Sequence, residues 1–156
     1  MGLHENMRAE NVRSLSLREP VTVSPDEPLK QVVETLKSRR LGCAIVVDQD
    51  GKPIGIFTES QLIRLLSQEE TDFSVPVSSV METDWPCARD DAPVVEVLNQ
   101  MTSRNLRFVI VVDAAGNLVG LTGQRGLLEY IADHFPEQVM VQRIGGTPHL
   151  KNREGA

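Results

Sequence analysis

C-A-I-V-V-D-Q-D-G-K-P-I-G-I-F-T-E-S-Q-L-I-R-L-L, from Cys43 to Leu66, decides the reading of this chain. A second stretch, Phe108 to Ile131, has the same plan: F-V-I-V-V-D-A-A-G-N-L-V-G-L-T-G-Q-R-G-L-L-E-Y-I. In each, an apolar run ends in Asp, a turn with Gly follows, a second apolar run carries Gly, and a helix begins. Asp48 and Asp113, Gly51 and Gly116, and Gly55 and Gly120 are separated by one constant interval. An internal repeat is therefore the first fact about the fold.

Working outward, Ala44–Val47 is a continuous β-branched run, the pattern of a strand buried on both faces. Asp48-Gln-Asp-Gly51 predicts a tight turn, and Lys52–Phe57 the returning strand. Thr58 or Ser60 caps a helix containing Leu62, Ile63, Leu65 and Leu66. Upstream, Pro20–Val23 reads as a short strand. Asp26 is the expected N-cap of a helix with Pro28 in its first turn. Leu29, Val32, Val33 and Leu36 form its apolar stripe, and the chain stops being helical near Arg39 or Arg40. The second copy repeats each step. Asp91 and Pro93 answer Asp26 and Pro28, and Val94, Val97, Leu98 and Met101 reproduce the stripe. The last helix is expected from about Arg125 to His134, stopping near Pro136.

The expected organisation is an arm at residues 1–11, a repeat at 12–66, a linker at 67–76, a repeat at 77–135 and a tail at 136–156. Val12-Arg-Ser-Leu15 and Val77-Ser-Ser-Val80 open the two repeats. The fold class is α/β (α+β): two β-α-β-β-α units about a pseudo-twofold axis. One such unit buries too little apolar surface alone, so the two are expected to pack as one module. The arm is expected to be loose or irregularly helical, and the tail, with Gly145-Gly-Thr-Pro148, extended.

Composition narrows the function classes. Hydrophobic residues reach 40% but aromatics only 4%, so the core is aliphatic and stacking platforms for single strands are not expected. The net charge of −6 argues against nucleic acid and against anionic membrane as partners. Lys37-Ser38-Arg39-Arg40 is short and reads as a solvated helix end. No apolar run approaches membrane-spanning length, and the polar N-terminus has no secretory core, which points to the cytoplasm. Cys43 and Cys87 form no C-x-x-C pair; both read as small buried residues in a reducing cytosol, with no metal site. His4, His134 and His149 lie in the arm, at a helix end and in the tail, and no catalytic constellation is found, so no enzyme is expected.

V-T-V-S-P-D-E-P-L from Val21, the strands ending V-V-D, the turn glycines, and Gly55-Ile-Phe-Thr58 with Gly120-Leu-Thr-Gly123 resemble a tandem pair of CBS (cystathionine β-synthase) domains, the Bateman module. The resemblance spans about Val12 to Ile131. It implies a module that binds adenosine nucleotides or related ligands between its repeats, associates as a homodimer and regulates a partner. AMP, ADP, ATP and S-adenosylmethionine are the implied ligands, and none is a required cofactor. The alternative is a ligand-free dimerisation or interaction scaffold.

In nucleotide-binding members, the segment after the second strand reads roughly G-h-h-T/S-x-x-D, and its Asp accepts from the ribose hydroxyls. Here Thr58 is followed by Gln61 in place of that Asp, and Gly123 and Gly126 stand where the second copy needs hydroxyl and carboxylate. Losing the charge-assisted bond implies an affinity about ten- to hundredfold lower. The resemblance implies one cleft of Thr58 and Gln61 with Arg107, Phe108 and Val109 from the other repeat. It implies a second of Gly123, Arg125 and Gly126 with Gly42, Cys43 and Ala44. Of the two, the Thr58 cleft keeps more of the pattern.

Overall fold

The computed structural model describes residues 2–134, arranged as two three-stranded sheets and five α-helices. The expected tail, Pro136 and His149 lie outside the described residues. In the first half, β1 (Val21–Val23) runs parallel to β2 (Cys43–Val47), and β2 runs antiparallel to β3 (Pro53–Thr58). Helix α2 (Leu29–Arg39) crosses from β1 to β2, and α3 (Glu59–Leu66) follows β3. The second half repeats this with β4 (Cys87–Arg89), α4 (Val94–Arg104), β5 (Phe108–Val112), β6 (Leu118–Gly123) and α5 (Gln124–His134).

Local chemistry explains the turns. Asp48 Oδ1 accepts from the N–H groups of Asp50 and Lys52, both at 2.9 Å, and Gly51 takes φ 79°. Asp113 does the same with Ala115 and Asn117, and Gly116 takes φ 85°. The Asp that ends each buried strand is thus a turn-former, an Asx turn closing the hairpin.

β2 is buried on both faces, as its β-branched run predicts. Ala44 and Val46 join Leu29, Val32 and Phe57 beneath the helices of the first half. Ile45 faces the other way, into a seam where Ile45 and Ile56 of one sheet meet Ile110 and Val112 of the other. This seam makes the two halves one module, because neither sheet can cover that face alone.

The opening segments cross over. A helix α1 (Leu3–Ala9) puts Met7 against the second half, in one cluster with Val12, Leu15, Val97, Val109 and Tyr130. Phe73, Val75 and Val77 pack in the core of the first half. The exchange is matched by backbone bonds. Val12 N–H donates to Ala92 O and Val94 N–H to Glu10 O; Val77 N–H donates to Glu27 O and Leu29 N–H to Val75 O. Residues 2–11 thus take the helical of the two expected forms rather than the loose one, with the apolar side of α1 packed on α4. Likewise, residues 67–76 are more than a polar linker, because Phe73 and Val75, half-buried, pack against the core of the first half.

The same crossing corrects the caps. Pro28 and Pro93, not Asp26 and Asp91, occupy the N-cap positions, and neither helix has a side-chain cap. The carbonyls of Val75 and Phe73 accept from the first N–H groups of α2, and Glu10 O does so for α4. Donors left open by a helix start are met here by the crossing chain. Asp91 instead accepts from Arg89 at 2.6 Å.

Candidate functional site

Each helix that follows a second strand starts beside the first residues of the buried strand. In the first half this junction is closed. Thr58 Oγ1 accepts from Gln61 N–H at 3.4 Å, and Gln61 Oε1 accepts from Thr58 N–H at 2.7 Å, a reciprocal capping box. Gln61 Nε2 donates to Val80 O at 3.3 Å, on the crossing segment. With 7% of its surface exposed and both ends of its amide engaged, Gln61 works as a structural tie. Glu59, at the first position of α3, holds its carboxylate against Gly42. Burial, and then the Glu59 charge, push the Cys43 thiol up to about 11, so at neutral pH it is protonated and no thiolate nucleophile. Gln61→Ala is expected to lower stability by about 1–3 kcal/mol, since Thr58 N–H and Val80 O lose their partner. Thermal melting checks this, with a fall of about 3–10 °C expected.

The equivalent junction of the second half is open. A cleft of about 470 Å³ lies at the start of α5, lined by Ser16, Arg18, Arg107, Phe108 and the turn from Thr122 to Gly126. Gly123 and Gly126 bring no side chains. A Cβ on Gly123 would collide with the Arg107 carbonyl oxygen, and one on Gly126 with Thr122 Oγ1, so both positions need glycine. Among the described residues, three guanidinium groups, Arg18, Arg107 and Arg125, share this cleft with one carboxylate, Glu129. Arg125 Nε is 3.1 Å from Glu129 Oε1, whereas Arg18 and Arg107 make no side-chain ion pair or hydrogen bond among the described residues. Gln124 N–H is spent on Arg107 O, at 3.4 Å. Among the described residues no side chain accepts from the N–H groups of Arg125 and Gly126, so the helix start adds partial positive charge to a basic cleft.

The expected groupings are corrected by the register of the sheets. Phe108 pairs with Gly123, and Cys43 with Thr58. Arg107 and Phe108 therefore border Gly123, Arg125 and Gly126, while Gly42 and Cys43 border Thr58 and Gln61. Each set sits within its own half, because a hairpin brings the start of its first strand beside the end of its second. Val109 and Ala44 are fully buried in the two cores and line no cleft surface. The open cleft is also not the Thr58 cleft favoured by the sequence pattern. Ser16 and Arg18 were missed, since they reach the cleft only through the crossing: Arg18 pairs with Leu121 through backbone bonds of 2.8 and 3.0 Å. Thr122 was missed although a signal existed, as it is a hydroxyl where the first copy has the core residue Phe57.

The model of the CBS domain family matches residues 12–68 and again residues 77–133. The chain belongs to the CBS domain family. It is similar to an uncharacterized protein of Methanopyrus kandleri, 27% identical over 79% of this chain. The chain spans 63% of that relative's length. Among solved structures, a CBS domain protein from Pyrobaculum aerophilum complexed with AMP superposes with a TM-score of 0.69 at 24% identity, covering 85% of this chain and 97% of that one. A CBS domain pair complexed with 5′-methylthioadenosine and S-adenosyl-L-methionine superposes with a TM-score of 0.68 at 22% identity, covering 80% and 97%. These likenesses establish the CBS pair fold. No helix among the described residues is long and apolar enough to cross a membrane, and no cluster of metal-ligating side chains occurs among them.

Proposed function

We propose that this CBS pair is a regulatory module that senses an adenosine nucleotide in the cleft at the start of α5 and modulates a separate partner protein. One observation carries the reading: two arginines without an ion-pair partner among the described residues, Arg18 and Arg107, converge on a helix start in a chain whose net charge is −6. Such a site favours a phosphate. The AMP and S-adenosylmethionine complexes of the two structural neighbours support the adenosine part. We also propose a homodimer in the cytoplasm. Ile63 and Leu128, equivalent residues of the two repeats, are 68% and 66% exposed, so a second copy can cover both with one self-complementary face. Two free cysteines suit a reducing compartment.

The test is thermal melting with millimolar AMP, ADP, ATP and S-adenosylmethionine. At a hundredfold excess over Kd a ligand adds about 2.7 kcal/mol. A rise of about 5–10 °C with at least one nucleotide is expected, and sedimentation of the same sample should give the mass of two chains. No shift with any of the four would overturn the sensing reading. It would favour the ligand-free scaffold, a second reading that the engaged amide of Gln61 already supports for the first half.

A further inference from the structure

Three buried side-chain oxygens have no hydrogen-bond partner among the described residues: Thr122 Oγ1, Tyr130 Oη and Asn6 Oδ1. An unpaired polar atom opposes its own burial. Thr122 is fixed by its strand, paired with Val109, and Tyr130 by a helix that also buries Leu127. Asn6 belongs to α1, whose hold is slight. Of the seven residues of α1, Met7 alone is fully buried, and Leu3 packs only partly against the same cluster. Helix α4 buries Val94, Val97 and Met101.

The polar contacts agree. Among the described residues, nothing from residue 2 to residue 9 makes a hydrogen bond or ion pair to the rest of the fold; the bond from Gly2 N–H to Glu5 Oε2 is internal to the segment. Firm attachment begins at Glu10, where the backbone leaves the helix for an extended conformation. Its carbonyl accepts from Val94 N–H at 2.9 Å, its carboxylate is 3.7 Å from His134 Nε2, and Val12 N–H donates to Ala92 O at 2.8 Å. The matching segment of the first half is tied more closely. Phe73 O and Val75 O both accept from the start of α2, and Thr71 Oγ1 donates to Leu65 O at 2.6 Å. A helix as short as α1 is marginal in water without its docking contacts.

We infer that α1 is a strap hinged at Glu10, which lifts off the second half and returns while both sheets and the other helices stay folded. The unpaired Asn6 Oδ1 favours the lifted state, where water meets it. Lifting bares the side of α4 on which Met7 rests, so the second half has a covered and an uncovered form. Such local opening needs far less free energy than global unfolding. The inference involves no ligand and does not rest on the function proposed above.

Hydrogen–deuterium exchange of the whole chain tests it. The amides of Asn6 to Ala9 are expected to exchange at least about a hundredfold faster than those of Val97 to Met101, after correction for intrinsic rates. Their exchange should change little between zero and about 1 M urea, because lifting exposes little surface. Asn6→Leu keeps the volume and removes the unpaired oxygen, and is expected to slow exchange in α1 about tenfold. Asn6→Ala, which cannot clash, should act in the same direction. Exchange in α1 within about threefold of that in α4 would overturn the inference, as would α1 exchange left unchanged by both Asn6 variants.

Discussion

Replacing Arg18 and Arg107 together with alanine is expected to weaken ATP binding by about a hundredfold or more. Hydrogen bonds to charged groups contribute about 1.5–3 kcal/mol each, so losing one from each arginine removes about two to four powers of ten in Kd. The ligand-free protein should be almost unaffected. Both side chains are exposed and have no ion-pair partner among the described residues, and the tie between Arg18 and Leu121 is made by backbone atoms that alanine retains. Surface changes of this kind usually stay within about 0.5 kcal/mol. Calorimetry gives the Kd and melting gives the control. Unchanged ATP affinity in a normally folded double variant would remove the phosphate from this cleft.

Phe57→Ala should act on stability instead, lowering it by about 3–5 kcal/mol. The ring is fully buried among Val21, Leu29, Val32 and Ala44, and truncation leaves a void that β-strand neighbours cannot collapse into. Domains have about 5–15 kcal/mol in all, so the variant sits near the edge of folding. Urea unfolding would show the midpoint falling by about 2 M at ordinary m-values. A loss under about 1 kcal/mol would contradict the packing described. The contrast with the second half is instructive. Thr122 occupies the matching position, and there removing a polar atom, rather than a ring, is what should change the melt.

Those two positions show what was legible in the sequence and what was not. The repeat, the order of strands and helices and the buried character of Ala44, Ile45 and Val46 followed from periodicity, since they depend on neighbours within a few residues. Pro28 and Pro93 were misread because their helix starts are met by carbonyls from distant chain, which no local pattern records. The site was half-read. Arg107, Gly123, Arg125 and Gly126 do meet in one cleft, but with their own hairpin rather than the other repeat's. Arg18 stayed hidden because it reaches Leu121 by a long-range bridge. The absent carboxylate at Gly126 drew attention to the Thr58 copy, whereas the charge balance of the folded clefts points the other way. In the first half Glu59 lies against Gly42; in the second Gln124 stands where Glu59 does and Arg107 where Gly42 does.

The exchange of opening segments has a consequence for synthesis. Met7 has its partners in Val97, Val109 and Tyr130, so α1 leaves the ribosome long before its docking surface exists. At about 5–20 residues per second the wait is on the order of ten seconds. During that time Met7 and Leu3, the residues α1 will bury or half-bury, have nothing to pack against. A chain cut in the linker would strand each fragment with the other's missing piece.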